Sequence, residues 1–255
     1  TPLSKLYALD IASGRVDRLT DSDAYSVDGF EVSPDGRWIG FEGGSTERYE
    51  RNITQSGLYQ DLYLLEVATG HVERLTENYE VSEGGFTFSP DSRTMAFSAP
   101  DDMTRYTMTE NRVYVRQVAD RGGSFRKIGT GYDGSIFPAF WSEDGRTIYF
   151  NDGIKVTNQF FSLDVASGQV RQITTERAAL GVSKDDDTGQ ILIDYQDPST
   201  PPTVFAVSSL DQVANRSAWT RLVDVNPEVA EMALGREGEV EWTSTDGKRV
   251  GGVLV

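Results

Sequence analysis

LYALDIASGRVDRLT at residues 6–20 returns as LYLLEVATGHVERLT at 62–76 and as FFSLDVASGQVRQIT at 160–174. In the first copy, Leu6 to Ile11 crowds apolar side chains into one strand length, Ala12-Ser13-Gly14-Arg15 supplies turn chemistry, and Val16 to Leu19 alternates apolar with polar. Each copy therefore reads as a β-hairpin with a glycine at its turn. A second phrase accompanies it: FEVSPDGRWIGFEG from Phe30, FTFSPDSRTMAFSA from Phe86 and AFWSEDGRTIYFND from Ala139. In Ser33-Pro34-Asp35-Gly36 the proline presets the backbone of the second turn position and glycine suits the fourth, the pattern of a type I turn. Ser89-Pro90-Asp91-Ser92 repeats the design, Ser142-Glu143-Asp144-Gly145 is a looser copy, and Ser183 to Gly189 reads as a copy lengthened by an acidic insert.

Spacing turns these hairpins into an architecture. Leu6 to Leu62 is 56 residues, Leu62 to Val113 is 51, Val113 to Phe160 is 47 and Phe160 to Val204 is 44. Four-stranded units recurring every ~40 to 50 residues mark an all-β β-propeller, because one such sheet buries its faces only when neighbours stack on it. The SPDG hairpin supplies the two inner strands of each blade and the LYALDI-type hairpin the two outer, with solvated Arg and Glu positions. Blades are expected over about 30–77, 86–130, 139–175 and 180–224, preceded by an outer hairpin at 1–20. That makes about four and a half blades. Either residues 240–255 pair with 1–20 and close a five-bladed ring, or the chain belongs to a larger propeller.

Composition bounds the partners. With 40 acidic against 24 basic residues among 255, the formal charge of -16 repels phosphate backbones and anionic membranes, so neither nucleic acid nor membrane is an expected partner. The absence of cysteine removes disulfides, thiolate catalysis and Cys-built zinc sites, and leaves cytoplasm and periplasm equally open. A mean hydropathy of -0.42 accompanies the lack of any apolar run long enough for a transmembrane helix. The opening TPLSKLYALDI lacks the basic and apolar regions of a signal peptide.

The C-terminal segment carries a resemblance. Asn226-Pro227-Glu228, then Ala233-Leu234-Gly235, then VEWTSTDGKRVGGVLV at 240–255 resembles the junction of the prolyl oligopeptidase family of serine peptidases. The SPDG hairpins and D-x-A-S/T-G turns resemble that family's propeller, especially its acylaminoacyl-peptidase-like and bacterial members, and are shared with propellers of the TolB type. The resemblance implies a partial propeller over 1–235, from a ring of seven or eight blades. It also implies the start of an α/β-hydrolase catalytic domain at 236–255, the rest of that domain being this chain's partner. The propeller would gate access, leaving short or acylated peptides as substrates. The alternative is a free-standing TolB-like propeller that binds a partner protein.

The chemistry of such a peptidase needs a G-x-S-x-G elbow, an acid and a histidine, and this sequence has no such elbow. Gly43 to Glu47 and Gly122 to Arg126 each lack the closing glycine. The single histidine, His71, takes the turn position held by Arg15 and Gln169 in the sister copies, which reads as an exposed polar residue. No catalytic residue, metal ligand or cofactor is expected; the Asp185-Asp186-Asp187 run lacks the alternating ligands of a calcium loop. Substrate-gating candidates come from two long connections: Arg48, Tyr49, Glu50 and Arg51 in the stretch from Gly44 to Leu58, and Arg105 with Tyr106 in the stretch from Met103 to Glu110. The arginines suit a peptide carboxylate, and Glu50 suits an amine.

Overall fold

The computed structural model describes residues 3–46, 60–77, 81, 83–105, 109–185, 187–223 and 226–254. Nearly all regular structure among them is β-strand, the helical content being three short 3-10 turns. The chain divides into two units, Thr1–Thr147 with Val165–Gln169, and Ile148–Asp164 with Val170–Val255.

In the first unit β1 (Tyr7–Leu9) and β2 (Val16–Arg18) form a two-stranded hairpin. A four-stranded antiparallel sheet follows, of β3 (Tyr25–Val32), β4 (Trp38–Ser45), β5 (Gln60–Glu66) and β6 (His71–Arg74) in chain order. The next is β7 (Gly84–Phe88), β8 (Thr94–Pro100), β9 (Asn111–Gln117) and β10 (Arg126–Ile128), again in chain order. The short β11 (Phe140–Trp141) ends the unit's strands. The middle strands β5, β8 and β9 carry near-continuous runs of buried residues, whereas β3 is largely open to water along its second half. Tyr25, Phe41 and Tyr63 build one core, with the Phe41 and Tyr63 rings stacked at 5.1 Å. Leu6 from the segment before β1 is buried against them.

The two strands of the β5–β6 hairpin differ in burial: Leu62, Leu64 and Leu65 of β5 are fully buried, while Glu66 at its end is half-buried and His71 and Arg74 of β6 are exposed. Neighbouring sheets explain it, since Leu62 packs with Phe97 and Ala99, and Leu64 with Phe88 and Met95.

The second unit contains β12 (Thr147–Ile154), apart from its first residue, then β13 (Thr157–Asp164) and β14 (Val170–Gln172). It continues with β15 (Ala179–Lys184), β16 (Ile191–Asp197), β17 (Thr200–Val207) and β18 (Thr220–Val223), antiparallel in chain order. One parallel bridge, Asn158 to Ala179, joins β13 to β15. The Asn151 side chain adds to it, its Nδ2 donating to the Val182 carbonyl at 3.0 Å and its Oδ1 accepting the Val182 N–H at 2.8 Å. Last come β19 (Gly238–Thr243) and β20 (Arg249–Leu254), paired only with each other among the described residues. No sheet closes on itself among those residues, and β1–β2 and β19–β20 are separate two-stranded sheets.

The turns share chemistry that the residue pattern only hinted at. Ser33 Oγ donates to Asp35 Oδ1 at 2.7 Å, the same carboxylate accepts the Arg37 N–H, and Trp38 N–H donates to Ser33 Oγ. Ser89 with Asp91 and Ser142 with Asp144 repeat all three bonds, so the Ser142 turn is as complete as the others. Gly36 sits at φ +69° and Ser92 at φ +60°, the left-handed conformation in which glycine costs least. The turn at Asp185 is of another kind. Its Oδ1 accepts both the N–H and the hydroxyl of Thr188, and Gly189 N–H donates to its carbonyl. Asp10, Ser13 and Gly14 make the same set. The acidic tip therefore copies the D-x-A-S-G turn, and is not a lengthened SPDG turn.

Candidate functional site

In the second unit a cavity of about 450 Å³ opens where the turn after β12, the segment before β15 and the turn after β16 meet the β19–β20 hairpin. Val156, Pro201, Pro202 and Val253 give it apolar walls, and Arg177, Asp197, Glu237 and Glu239 supply charge. Two of these charges are already committed. Asp197 accepts the Tyr195 hydroxyl at 2.7 Å and the Ser199 N–H at 2.9 Å. Burial works against its charged form, yet those hydrogen bonds outweigh it and hold the carboxyl at about 2. Tyr195 is fixed in turn by the Arg216 guanidinium, 3.9 Å from its ring centre, with Trp219 at 5.1 Å from the same guanidinium.

Glu239 is engaged by Lys155, which bridges it at 3.2 Å and Glu241 at 2.8 Å. Arg249 also pairs with Glu241. Lys155 occupies the turn between β12 and β13 at φ +53°, so its side chain is delivered by a strained left-handed position. The hydrogen bonds that Lys155 donates to Glu241, then to Glu239, raise the Lys155 pKa, and the bond to Glu241 lowers that of Glu241. This ion-pair cluster ties the hairpin to the β12–β13 turn, and so fixes one wall of the cavity. The remaining charges, the side chains of Arg177 and Glu237, make no hydrogen bond or ion pair among the described residues.

The first unit holds the long connections singled out in the sequence. They are equivalent in strand order, one joining β4 to β5 and the other β8 to β9. Arg48, Tyr49, Glu50, Arg51 and Tyr106 lie outside the described residues. Arg105 is exposed and pairs with Asp102 at 3.1 Å, in a turn where the Thr104 hydroxyl and N–H lower the Asp102 pKa. At the root of the other connection, Gln60 Nε2 donates to Asp28 at 2.5 Å, and Glu42 stands beside Gly29 and Gly84. Burial, and then the Asp28 charge, raise the Glu42 pKa. His71 is exposed, opposite Glu66 in the strand pair.

No group of three or more His, Cys, Asp or Glu among the described residues is placed to hold a metal ion. No helix among them is long and apolar enough to cross a membrane. Sequence reading missed Arg177, Glu237, Asp28 and Glu42, because each gains its meaning from residues brought close by the fold. Arg177 and Glu237 stand just before β15 and β19, while Asp28 and Glu42 lie within β3 and β4, where the sequence carries no signal for them.

No family model matches the chain, and no curated protein does. Solved structures do. TolB from Acinetobacter baumannii is 18% identical with a TM-score of 0.53, over 80% of this chain and 46% of that one. Oligogalacturonate lyase from Vibrio parahaemolyticus is 12% identical with a TM-score of 0.63, over 86% and 60%. A prolyl endopeptidase is 14% identical with a TM-score of 0.58, over 86% of this chain and 33% of that one. The chain thus spans less than two thirds of each of these proteins. At such identities the likeness is one of fold: a nearly all-β chain of antiparallel sheets, similar to propeller structures.

Proposed function

We propose that this chain is the non-catalytic, substrate-gating propeller portion of a serine peptidase resembling the prolyl oligopeptidase family, acting on short or acylated peptides. In this reading 1–235 is part of a larger ring and 236–255 begins the α/β-hydrolase domain that supplies the chemistry. One observation carries most of the weight. After its four-stranded groups the chain makes a further hairpin, β19–β20, which pairs with no other strand among the described residues and leaves Trp242 51% exposed. A lone two-stranded hairpin is marginal in water, so this one suits the first strands of another domain. Arg48, Tyr49, Glu50, Arg51, Arg105 and Tyr106 are the proposed substrate-facing side chains, with Arg105 exchanging Asp102 for a peptide carboxylate.

The likeness to TolB supports a second reading, a propeller that binds a partner protein without chemistry. The reading frame beyond Val255 distinguishes the two: a G-x-S-x-G elbow and a later histidine support the peptidase, and a stop near Val255 supports the scaffold. The chain by itself is expected to leave peptide p-nitroanilides intact and to resist labelling by a serine-directed phosphonate. Turnover or labelling would overturn the assignment of catalysis to another domain.

A further inference from the structure

The cavity of the second unit has the properties of a binding site that neither reading above requires. Its volume of about 450 Å³ falls within the range of small-molecule sites, ~300 to 1,000 Å³. Its two uncommitted charges are of opposite sign. Arg177 offers a planar fork of donors matched to a carboxylate, and Glu237 offers an acceptor for an ammonium group. Between them Val156, Pro201, Pro202 and Val253 present apolar surface, and Ala178 and Ala179 leave their wall without long side chains.

We propose that this cavity binds a short peptide with both termini free, its carboxylate on Arg177, its amine on Glu237 and an apolar side chain against the prolines. Charge decides against simpler ligands. The chain carries -16 overall, which disfavours a ligand that is a net anion, such as a phosphate. An amine alone would leave Arg177 unanswered, and a carboxylate alone would leave Glu237 so. A zwitterion answers both and meets no net field. Asp197 and Glu239 do not compete for the amine, since Tyr195 with Ser199, and Lys155, already occupy them.

The choice of a peptide as ligand rests on the peptidase reading, but the site needs no catalytic domain. Calorimetric titration of the chain with the tripeptide Ala-Pro-Ala, its C-terminal amide and its N-acetyl form tests it. Free tripeptide is expected to bind, and amidation to weaken it roughly tenfold or more, the loss of a charge-assisted contact. Arg177→Gln should weaken the free acid by a similar factor and make acid and amide indistinguishable. Glu237→Gln should do the same for acetylation. Both side chains are exposed, and unchanged melting curves would show that the variants fold. No heat at millimolar tripeptide, or equal binding of acid and amide to the unaltered chain, overturns the proposal. Binding combined with a reading frame that lacks the elbow would sink the peptidase reading and leave the cavity standing. An elbow without binding would do the reverse.

Discussion

Gly40 on β4 and Phe86 on β7 share one space. A Cβ on Gly40 would stand 2.6 Å from Phe86 Cζ and closer still to Cε1 and Cδ1. The glycine is thus what lets one sheet of the first unit receive an aromatic ring from the next. Gly40→Ala is expected to cost about 1–3 kcal/mol, the range for overpacking a core. The midpoint of urea unfolding measures it. Adding Phe86→Leu should recover part of the loss; a Gly40→Ala variant as stable as the parent would refute the contact.

Acid should loosen the SPDG turns. Burial opposes the charged form of Asp35, but the Ser33 hydroxyl, the Arg37 N–H and the Arg37 guanidinium outweigh it and hold the carboxyl at about 2, against an ordinary 3.8. For Asp91, Asp144 and Asp246 the serine hydroxyl is the leading cause of the same downward shift. A depressed carboxyl contributes stability above its unfolded pKa and loses it as pH falls toward its folded one. Melting temperature should therefore drop between about pH 4 and pH 2. Asp35→Asn should lower it at pH 6 and converge with the parent near pH 2. A gap of equal size at both pH values would contradict this.

Asn151 joins β12 to β15 through both polar atoms of its amide. Asn151→Ala leaves the N–H and carbonyl of buried Val182 without those partners, and is expected to cost about 1–3 kcal/mol in denaturant unfolding. Asn151→Asp keeps the acceptor, loses the donor and should fall between. A loss confined to a few tenths would mean that water replaces the amide.

Lys155 ties the final hairpin to its neighbour with exposed ion pairs, which salt screens. In Lys155→Met the backbone amides of β19 and β20 should exchange with deuterium faster at low salt, while those of β15 and β16 should not. High salt should bring the parent toward the variant. Hairpin exchange indifferent to both changes would show that the ion pairs hold nothing.

Most turn chemistry was legible because both partners lie within about five residues, as Ser33 with Asp35 and Trp38 do, although the Asp185 turn was read as the wrong kind. The same locality explains the Asp185 turn, whose Asp, Thr and Gly spacing matches Asp10, Ser13 and Gly14 once hydrogen bonds are compared instead of neighbouring serines. The candidate site was not legible. Arg177 and Glu237 lie 60 positions apart, and neither belongs to a repeat that would mark it.

By itself the sequence determined a nearly all-β chain of repeated antiparallel hairpins, because strand periodicity and turn hydrogen bonds are local properties. Tertiary structure decided what each copy does. LYALDI and LYLLEV are almost the same phrase, yet Tyr7 and Leu9 are exposed while Tyr63 and Leu65 are buried. Burial depends on which surface packs against a strand, and that surface arrives from residues far away in the chain. Two charges without partners face one cavity for the same reason, and no stretch of either neighbourhood records it.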